Sequence, residues 1–593
     1  VSMSGGKLDA DETLTLSGDL TQSGNIEIDV AQNKTLGYSG AAVNLGAKTL
    51  TMSGKGSFNN TNALRLNSGS SKLLLSNTTT VSRVSTSANI YQPDLGIDVD
   101  ESSTITSLVV GNTTPVSIAA GKTLSGGVTV TAGSIKLGEM GTLASAVTMS
   151  GGILQADETL TLSGALSHTA DITIAVAGGK TLKYEGTAIN VGANTITLSG
   201  GGSLVSGGMT LNDEDSKLLL NSITLDSAST SANSLGLDVD TNSTITSLSV
   251  GHTTPVSIAA GKTLSGSITV TAGSIKLGEM GTLASAVTMS GGILQADETL
   301  TLSGALSHTA DITIAVAGGK TLKYEGTAIN VGANTITLSG GGSLVSGGMT
   351  LNDEDSKLLL NSITLDSAST SANSLGLDVD ANSTVTSLAV GHTTPVSIAA
   401  GKTLSGVVTV SAGSIKLGKA GTLASAVSMS GGILEADETL TLSGNLTQSG
   451  NITIAVAQNK TLSYLGAAVN LGAKTLTMSG KGTFNNTNAL VLNDANSKLL
   501  LSNTGTVGSV STLLESLGVD VNEDSTITSL AVGHTTPVSI AAGKTLSGGV
   551  TVSAGSIKLG KTGTLASTVS MSGGKLDADE TLTLSGDLTQ SGN

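Results

Sequence analysis

Apolar and polar residues alternate along almost every stretch of this chain. Val128-Thr129-Val130-Thr131, Ile135-Lys136-Leu137, Ile172-Thr173-Ile174-Ala175-Val176 and Ile196-Thr197-Leu198 are examples from one region. Successive side chains of a strand point to opposite faces. Each run therefore predicts a short strand with an apolar inner face and an outer face bearing Thr or Lys. Gly, Asn, Asp and Ser separate the runs, as in Ser150-Gly151-Gly152 and Asn212-Asp213-Glu214-Asp215, and these residues build tight turns. No helical apolar spacing persists, and the load of Gly and Thr opposes a helix anywhere.

The runs recur at two periods. A Leu or Ile that follows Thr or Ser opens successive phrases at Leu124, Leu143, Leu162, Leu182, Leu204, Ile223, Ile245 and Leu264. Seven short units of nearly equal length therefore fill one long repeat. The longer period is equally plain. TLTLSG begins at Thr13, Thr159, Thr299, Thr439 and Thr581, and TTPVSIAAGKTLSG carries its proline at Pro115, Pro255, Pro395 and Pro537. Long repeats run over 1–146, 147–286, 287–426 and 427–568, and 569–593 begins another. Residues 147–240 and 287–380 are identical, and residues 1–25 recur as 569–593. With Val1 in first place and the pattern in full course at Asn593, we expect further repeats on either side.

A 20-residue unit with two or three short strands cannot bury its apolar face alone. Stacking coil upon coil buries a continuous column and pairs each strand with its equivalents in the flanking coils. The predicted fold is all-β, one continuous parallel β-helix (β-solenoid) over 1–593. The strict hexapeptide rhythm of left-handed versions is missing, so we expect a right-handed one. At roughly 4.8 Å per coil, about 29 or 30 coils make a rod on the order of 140 Å long.

Composition sharpens this in two ways. There is no Trp, and only 2 Phe and 5 Tyr, so Val, Ile, Leu and Ala must fill the interior, as a narrow solenoid requires. Tyr184 and Tyr324 occupy equivalent places, with Tyr38 and Tyr464 near the same place in the outer repeats. The net charge is −16, and Arg65 and Arg83 are the only arginines, which argues against nucleic acid as a partner. The absence of Cys excludes disulfides, thiolate metal sites and thiol nucleophiles. No run of ~18 apolar residues predicts a membrane span.

The phrases GTLASAVTMSGGILQADETLTLSG and GKTLSGGVTVTAGSIKLG resemble the passenger domains of bacterial autotransporters and filamentous haemagglutinin-like adhesins. The resemblance covers essentially the whole chain. It implies a right-handed solenoid exported to the cell surface. The near-perfect repetition of the long unit exceeds that of most such passengers and moves the expectation towards a structural extracellular fibre. Its partners would be further repeats of the chain and copies set laterally or end to end. The alternative is an adhesin stalk whose cell-surface or glycan ligands bind regions outside this stretch.

Candidate chemistry is thin. GKT recurs, as at Gly121-Lys122-Thr123 and Gly179-Lys180-Thr181. A phosphate loop needs a further Gly where Val116 and Ile174 stand, so these read as turns. Acidic pairs recur as Asp98/Asp100, Asp238/Asp240 and Asp378/Asp380. Carboxylates at turns supply hard oxygen ligands, which makes these six residues the Ca²⁺ candidates. The EF-hand pattern fails at Ser243, and in each Asp-Val-Asp the Val is expected inward with both Asp outward on a solvated face. His168, His252, His308, His392 and His534 read as surface loop residues. Thr pairs such as Thr129/Thr131 and Thr195/Thr197 are interrupted from coil to coil, which argues against an ice-binding ladder. Sequons occur at Asn77-Thr78-Thr79 and Asn242-Ser243-Thr244. A polysaccharide-active enzyme of this architecture would need aromatic rings, arginines and a long inserted loop to wall a groove, and the sequence shows none of these in strength. We expect no catalytic residues and no cofactor.

Overall fold

The alternating runs become strands with their apolar side chains inward. In Ile172–Val176 the side chains of Ile172, Ile174 and Val176 are buried, while Thr173 and Ala175 lie at the surface. The computed structural model describes residues 1–77, 80–503 and 505–592. Among these residues there is no helix, and strands pair in parallel with strands one coil away, as in Ser134 with Ile153, Ile153 with Thr173 and Ile172 with Ile196. The fold is an all-β parallel β-solenoid of about 29 coils, as the short period predicts.

The chain divides into two units, Val1–Leu294 with Leu300–Leu306, and Gln295–Thr299 with Ser307–Asn593. Each has the same build. Every coil places one strand in a first ladder, such as Ser134–Gly138 or Ile153–Ala156. It places one or two strands in a second ladder, such as Thr142–Leu143 and Ala146–Met149. Inward residues of the first ladder, among them Leu154, Ile174, Leu198 and Leu220, are fully buried, as are Leu143 and Leu162 of the second. The predicted core of Leu, Ile and Val is therefore the observed one. Tyr38, Tyr184 and Tyr464 each pair with a Leu of the preceding coil at one register, so the outer and inner repeats do share this place.

The unequal lengths of the long repeats have a structural address. In the second repeat Thr195 pairs with Lys217 and Lys217 with Gly236. In the first, Thr49 pairs with Lys72 and Lys72 with Gly96, and these two coils hold all six extra residues. In the fourth, Thr475 pairs with Lys498 and Lys498 with Gly518, which accounts for its two. Turns absorb the difference and the strands keep their register.

Hydrogen-bonded neighbours do not return to equivalent residues. From Ser134 the ladder passes through Ile153, Thr173 and Thr197 to Leu219, Asp238, Ser257 and Gly278. The equivalent of Ser134 one long repeat later is Ser274, four residues earlier. From Ser414 the same walk ends at Gly560, against the equivalent Ser556. Stacked strands are each rotated slightly against the last, so a surface feature repeated every seven coils winds around its unit.

One proline per long repeat sits inside the first ladder, where a missing N–H is normally excluded. Pro115 lies in the strand Thr114–Ile118, and Gly96 of the preceding coil, at φ 86°, stands against it. A Cβ on Gly96 would overlap the Pro115 carbonyl oxygen. The ladder resumes one residue on, at Ile97 with Val116. The same arrangement recurs at Gly236 and Pro255, Gly376 and Pro395, and Gly518 and Pro537.

Candidate functional site

The calcium candidates lie on the outer face of the first ladder. In the strand Gly96–Val99, Ile97 and Val99 are buried and Asp98 points out, half-buried; Asp100 is exposed at the strand end. Val inward and Asp outward is the predicted alternation. Lys72, one coil earlier, meets Asp98 with Nζ 2.6 Å from Oδ2. The pairs Lys217–Asp238, Lys357–Asp378 and Lys498–Asp520 repeat it at 2.5, 2.8 and 2.7 Å. Asp240 is exposed like Asp100, and Asp380 stands 4.0 Å from Lys419. Among the described residues no group of three or more His, Asp or Glu is placed to hold a metal ion. Asp98, Asp238 and Asp378 each face an ammonium that a cation would have to displace.

The GKT phrases are turns, and they also tie coils together. Gly121 and Gly179 take φ 73° and 74°, and the N–H of Lys122 and Lys180 closes each turn on Ala119 and Ala177 at 2.9 Å. Where a carboxylate stands one coil back the lysine reaches it: Lys122 to Glu101 at 2.7 Å, Lys180 to Glu158 at 2.6 Å, and Lys544 to Glu523; at Lys262 and Lys402 that place is Thr241 and Ala381. The hydrogen bond from Lys544 to Glu523 holds the ammonium above its ordinary pKa. The Thr N–H that opens the next strand is capped from the same coil, Thr123 by Ser102 Oγ at 3.1 Å and Thr181 by Thr159 Oγ1 at 3.2 Å.

The histidines fall into two sets. His252, His392 and His534 are exposed in turns, as expected. His168 and His308 instead end short strands. The two ring nitrogens of His168 face Ala170 O at 3.2 Å and Asn190 O at 3.0 Å, and His308 repeats this at 3.3 and 3.0 Å. Gln22 and Gln448 take the place in the outer repeats, their amides donating to Leu45 O and Leu471 O of the following coil at 3.1 and 3.0 Å. The position ties one coil to the next. Asn242 of one sequon caps Thr263 N–H at 2.9 Å; Thr78 and Thr79 of the other lie outside the described residues.

No long inserted loop was expected, and a short one stands in the first repeat. Its corner before Gly96 reads Ser87-Ala88-Asn89-Ile90-Tyr91-Gln92-Pro93-Asp94-Leu95, against Ser231-Ala232-Asn233-Ser234-Leu235 in the second. The four additional residues, 91–94, project. Alignment of the repeats locates these residues in the sequence, but that they stand beside a cleft depends on the coils stacked after them. Ile90 is fully buried and anchors the loop; its N–H donates to Thr113 O at 2.8 Å. Asn89 Oδ1 accepts the Thr113 N–H at 3.0 Å, and Ser117 Oγ donates to Pro93 O at 3.4 Å. Where Ile90 fills space, the hydroxyls of Ser234, Ser374 and Ser516 are buried without a partner. Beside the loop lies a cleft of about 520 Å³, bounded by Tyr91, Pro93 and Asp94 on one side and by Lys136, Glu139 and Asp157 of later coils on the other.

Comparison with known proteins finds no family model that matches the chain, no matching curated protein and no matching solved structure, so the likeness to surface solenoids rests on the fold and the quoted phrases.

Proposed function

We propose that the chain is a non-catalytic structural element of an extracellular or cell-surface fibre, in which the stacked coils are themselves the function. The observation that carries this reading is the pairing of backbone from coil to coil, interrupted in the first ladder only beside one proline per long repeat among the described residues. Within each unit a strand gives its donors and acceptors to the coils on both sides. Opening one coil therefore breaks the bonding of two others, which favours stiffness over local fluctuation. Lysine–carboxylate ties in successive coils, such as Lys72–Asp98 and Lys122–Glu101, add to the same end. Placement outside the cell is supported by the resemblance of the quoted phrases to surface solenoids. The test is electron microscopy and sedimentation of the purified chain over a range of concentrations. Elongated particles that associate end to end or side by side support a fibre. Compact particles, or release of reducing ends from a panel of polysaccharides, would overturn it. A stalk that also binds a ligand is the second reading, favoured by the 91–94 loop, which one long repeat has and the other three lack.

A further inference from the structure

We propose that the cleft beside Tyr91 binds a neutral saccharide chain. The protein has seven aromatic side chains, 5 Tyr and 2 Phe. Six of them are at most 6% exposed, whereas Tyr91 is 69% exposed. A ring left in water at the mouth of a cleft is a stacking surface, and the C–H face of a pyranose is the complementary one. Pro93 and Pro115 extend that apolar wall.

The loop that presents the ring is held in place. Ile90 is sunk into the core, and the bonds from Ile90 N–H, Asn89 and Ser117 pin the loop on both sides of Tyr91. A surface fixed before binding loses less conformational freedom on binding.

The charged groups select the ligand. Glu158 is committed to Lys180 at 2.6 Å, and Asp157 Oδ1 already accepts the Gln155 amide at 2.6 Å. The half-buried Lys136 ammonium remains to donate, and the carboxylates of Asp94, Glu139 and Asp157 remain to accept. An anion would meet three carboxylates, and a cation would meet Lys136. A sugar hydroxyl both donates and accepts, so a neutral polyol satisfies both kinds of group at once. The second, third and fourth repeats have Leu235, Leu375 and Leu517 at this corner with no 91–94 equivalent, which confines the site to the first repeat. This inference holds whether the chain serves as fibre or as stalk, because binding is read on the dispersed chain.

With no Trp in the chain and Tyr91 the one tyrosine open to solvent, acrylamide quenching of tyrosine fluorescence reports on Tyr91. We expect at least one of cellohexaose, mannohexaose, galactohexaose and chitohexaose to protect Tyr91 saturably, and polygalacturonate and a lysine tripeptide not to. In calorimetric titration Tyr91→Leu and Lys136→Met should each weaken that binding about tenfold or more. Removal of residues 91–94, which recreates the shorter corner of the second repeat, should abolish it. Circular dichroism of each variant confirms that the solenoid is intact. Failure of all four oligosaccharides to protect, stronger protection by the charged probes, or unchanged affinity in Tyr91→Leu and Lys136→Met would overturn the proposal.

Discussion

In the first long repeat Tyr38 stacks on Phe58, ring centroids 6.0 Å apart, and Asn60 closes the turn that follows. At the same register in the second repeat Leu204 stands in place of Phe58, and Ser206 with Asp226 closes the turn. The fourth repeat follows the first, with Tyr464 on Phe484 at 5.9 Å, and the third follows the second. Asn60 is fully engaged. Its amide donates to Asn62 O at 2.9 Å and Arg83 O at 2.7 Å, and Oδ1 accepts the N–H groups of Ser82 and Arg83, both at 3.1 Å. In the second repeat the help comes from the opposite coil. Asp226 reaches back to accept Ser206 Oγ–H at 2.8 Å and Gly207 N–H at 3.0 Å, while Ser206 Oγ accepts Gly208 N–H at 3.2 Å. The requirement common to both is that buried polar groups at the turn be paired. Which coil supplies the partner is free, and the residues change together: Asn60 goes with Ser82, and Ser206 goes with Asp226.

Removing a ring from the stack should do the most damage. Phe58→Ala should cost about 3–5 kcal/mol and Leu204→Ala about 2–4 kcal/mol, read by hydrogen exchange of the amides in the flanking coils. Equal losses would mean that stacking adds nothing to burial at this place. Next comes the turn. Asn60→Ala orphans partners on two coils and should cost about 2–4 kcal/mol. Asp226 is only half-buried, so water can replace part of what it supplies, and Asp226→Ala should cost about 1–3 kcal/mol. The reverse order would show that the charged solution is the stronger one.

Alkaline pH probes the fourth repeat. Burial raises the pKa of the Tyr464 phenol, partly offset by the Leu446 N–H that donates to its oxygen. The unfolded phenol ionises first, so the contribution is complete below pH 10.0 and is lost as pH rises through the folded value. Stability to denaturant should thus fall as the pH rises above 10.0, and fall less in Tyr464→Phe; an equal fall in that variant would contradict it. The mildest pair of variants serves as an internal standard. Lys72→Met in the first repeat and Lys217→Met in the second remove the same partly exposed ion pair. Each should cost within about 1 kcal/mol, equally, and less in high salt. A difference between them would place the contrast between repeats outside the turn.

The candidate site was legible only in part. Asp98, Asp238 and Asp378 stand out in the sequence, but their lysines, Lys72, Lys217 and Lys357, lie a full coil earlier. Such a separation means contact only once the coil length at that point is known, and it differs between the first repeat and the next two. The lysine of each GKT turn reads as a solvated turn residue, and its reach to Glu101 or Glu158 depends on the same stacking. Tyr91 is one tyrosine among five in the sequence; aligned repeats locate its loop, but its exposure and the cleft beside it appear only in the stacked coils.

The all-β class, the coil length, the parallel stacking and the apolar column were all readable from the order of residues, because a period-2 pattern recurring at fixed intervals has few ways to bury one face. The folded chain was needed for the four-residue drift per long repeat, the glycine that accommodates each proline, the choice between Asn60 and Asp226, and the cleft at Tyr91. Each of these depends on which residue of one coil lies against which residue of the next. That pairing is set by how the coils stack, and it leaves no mark on the apolar pattern.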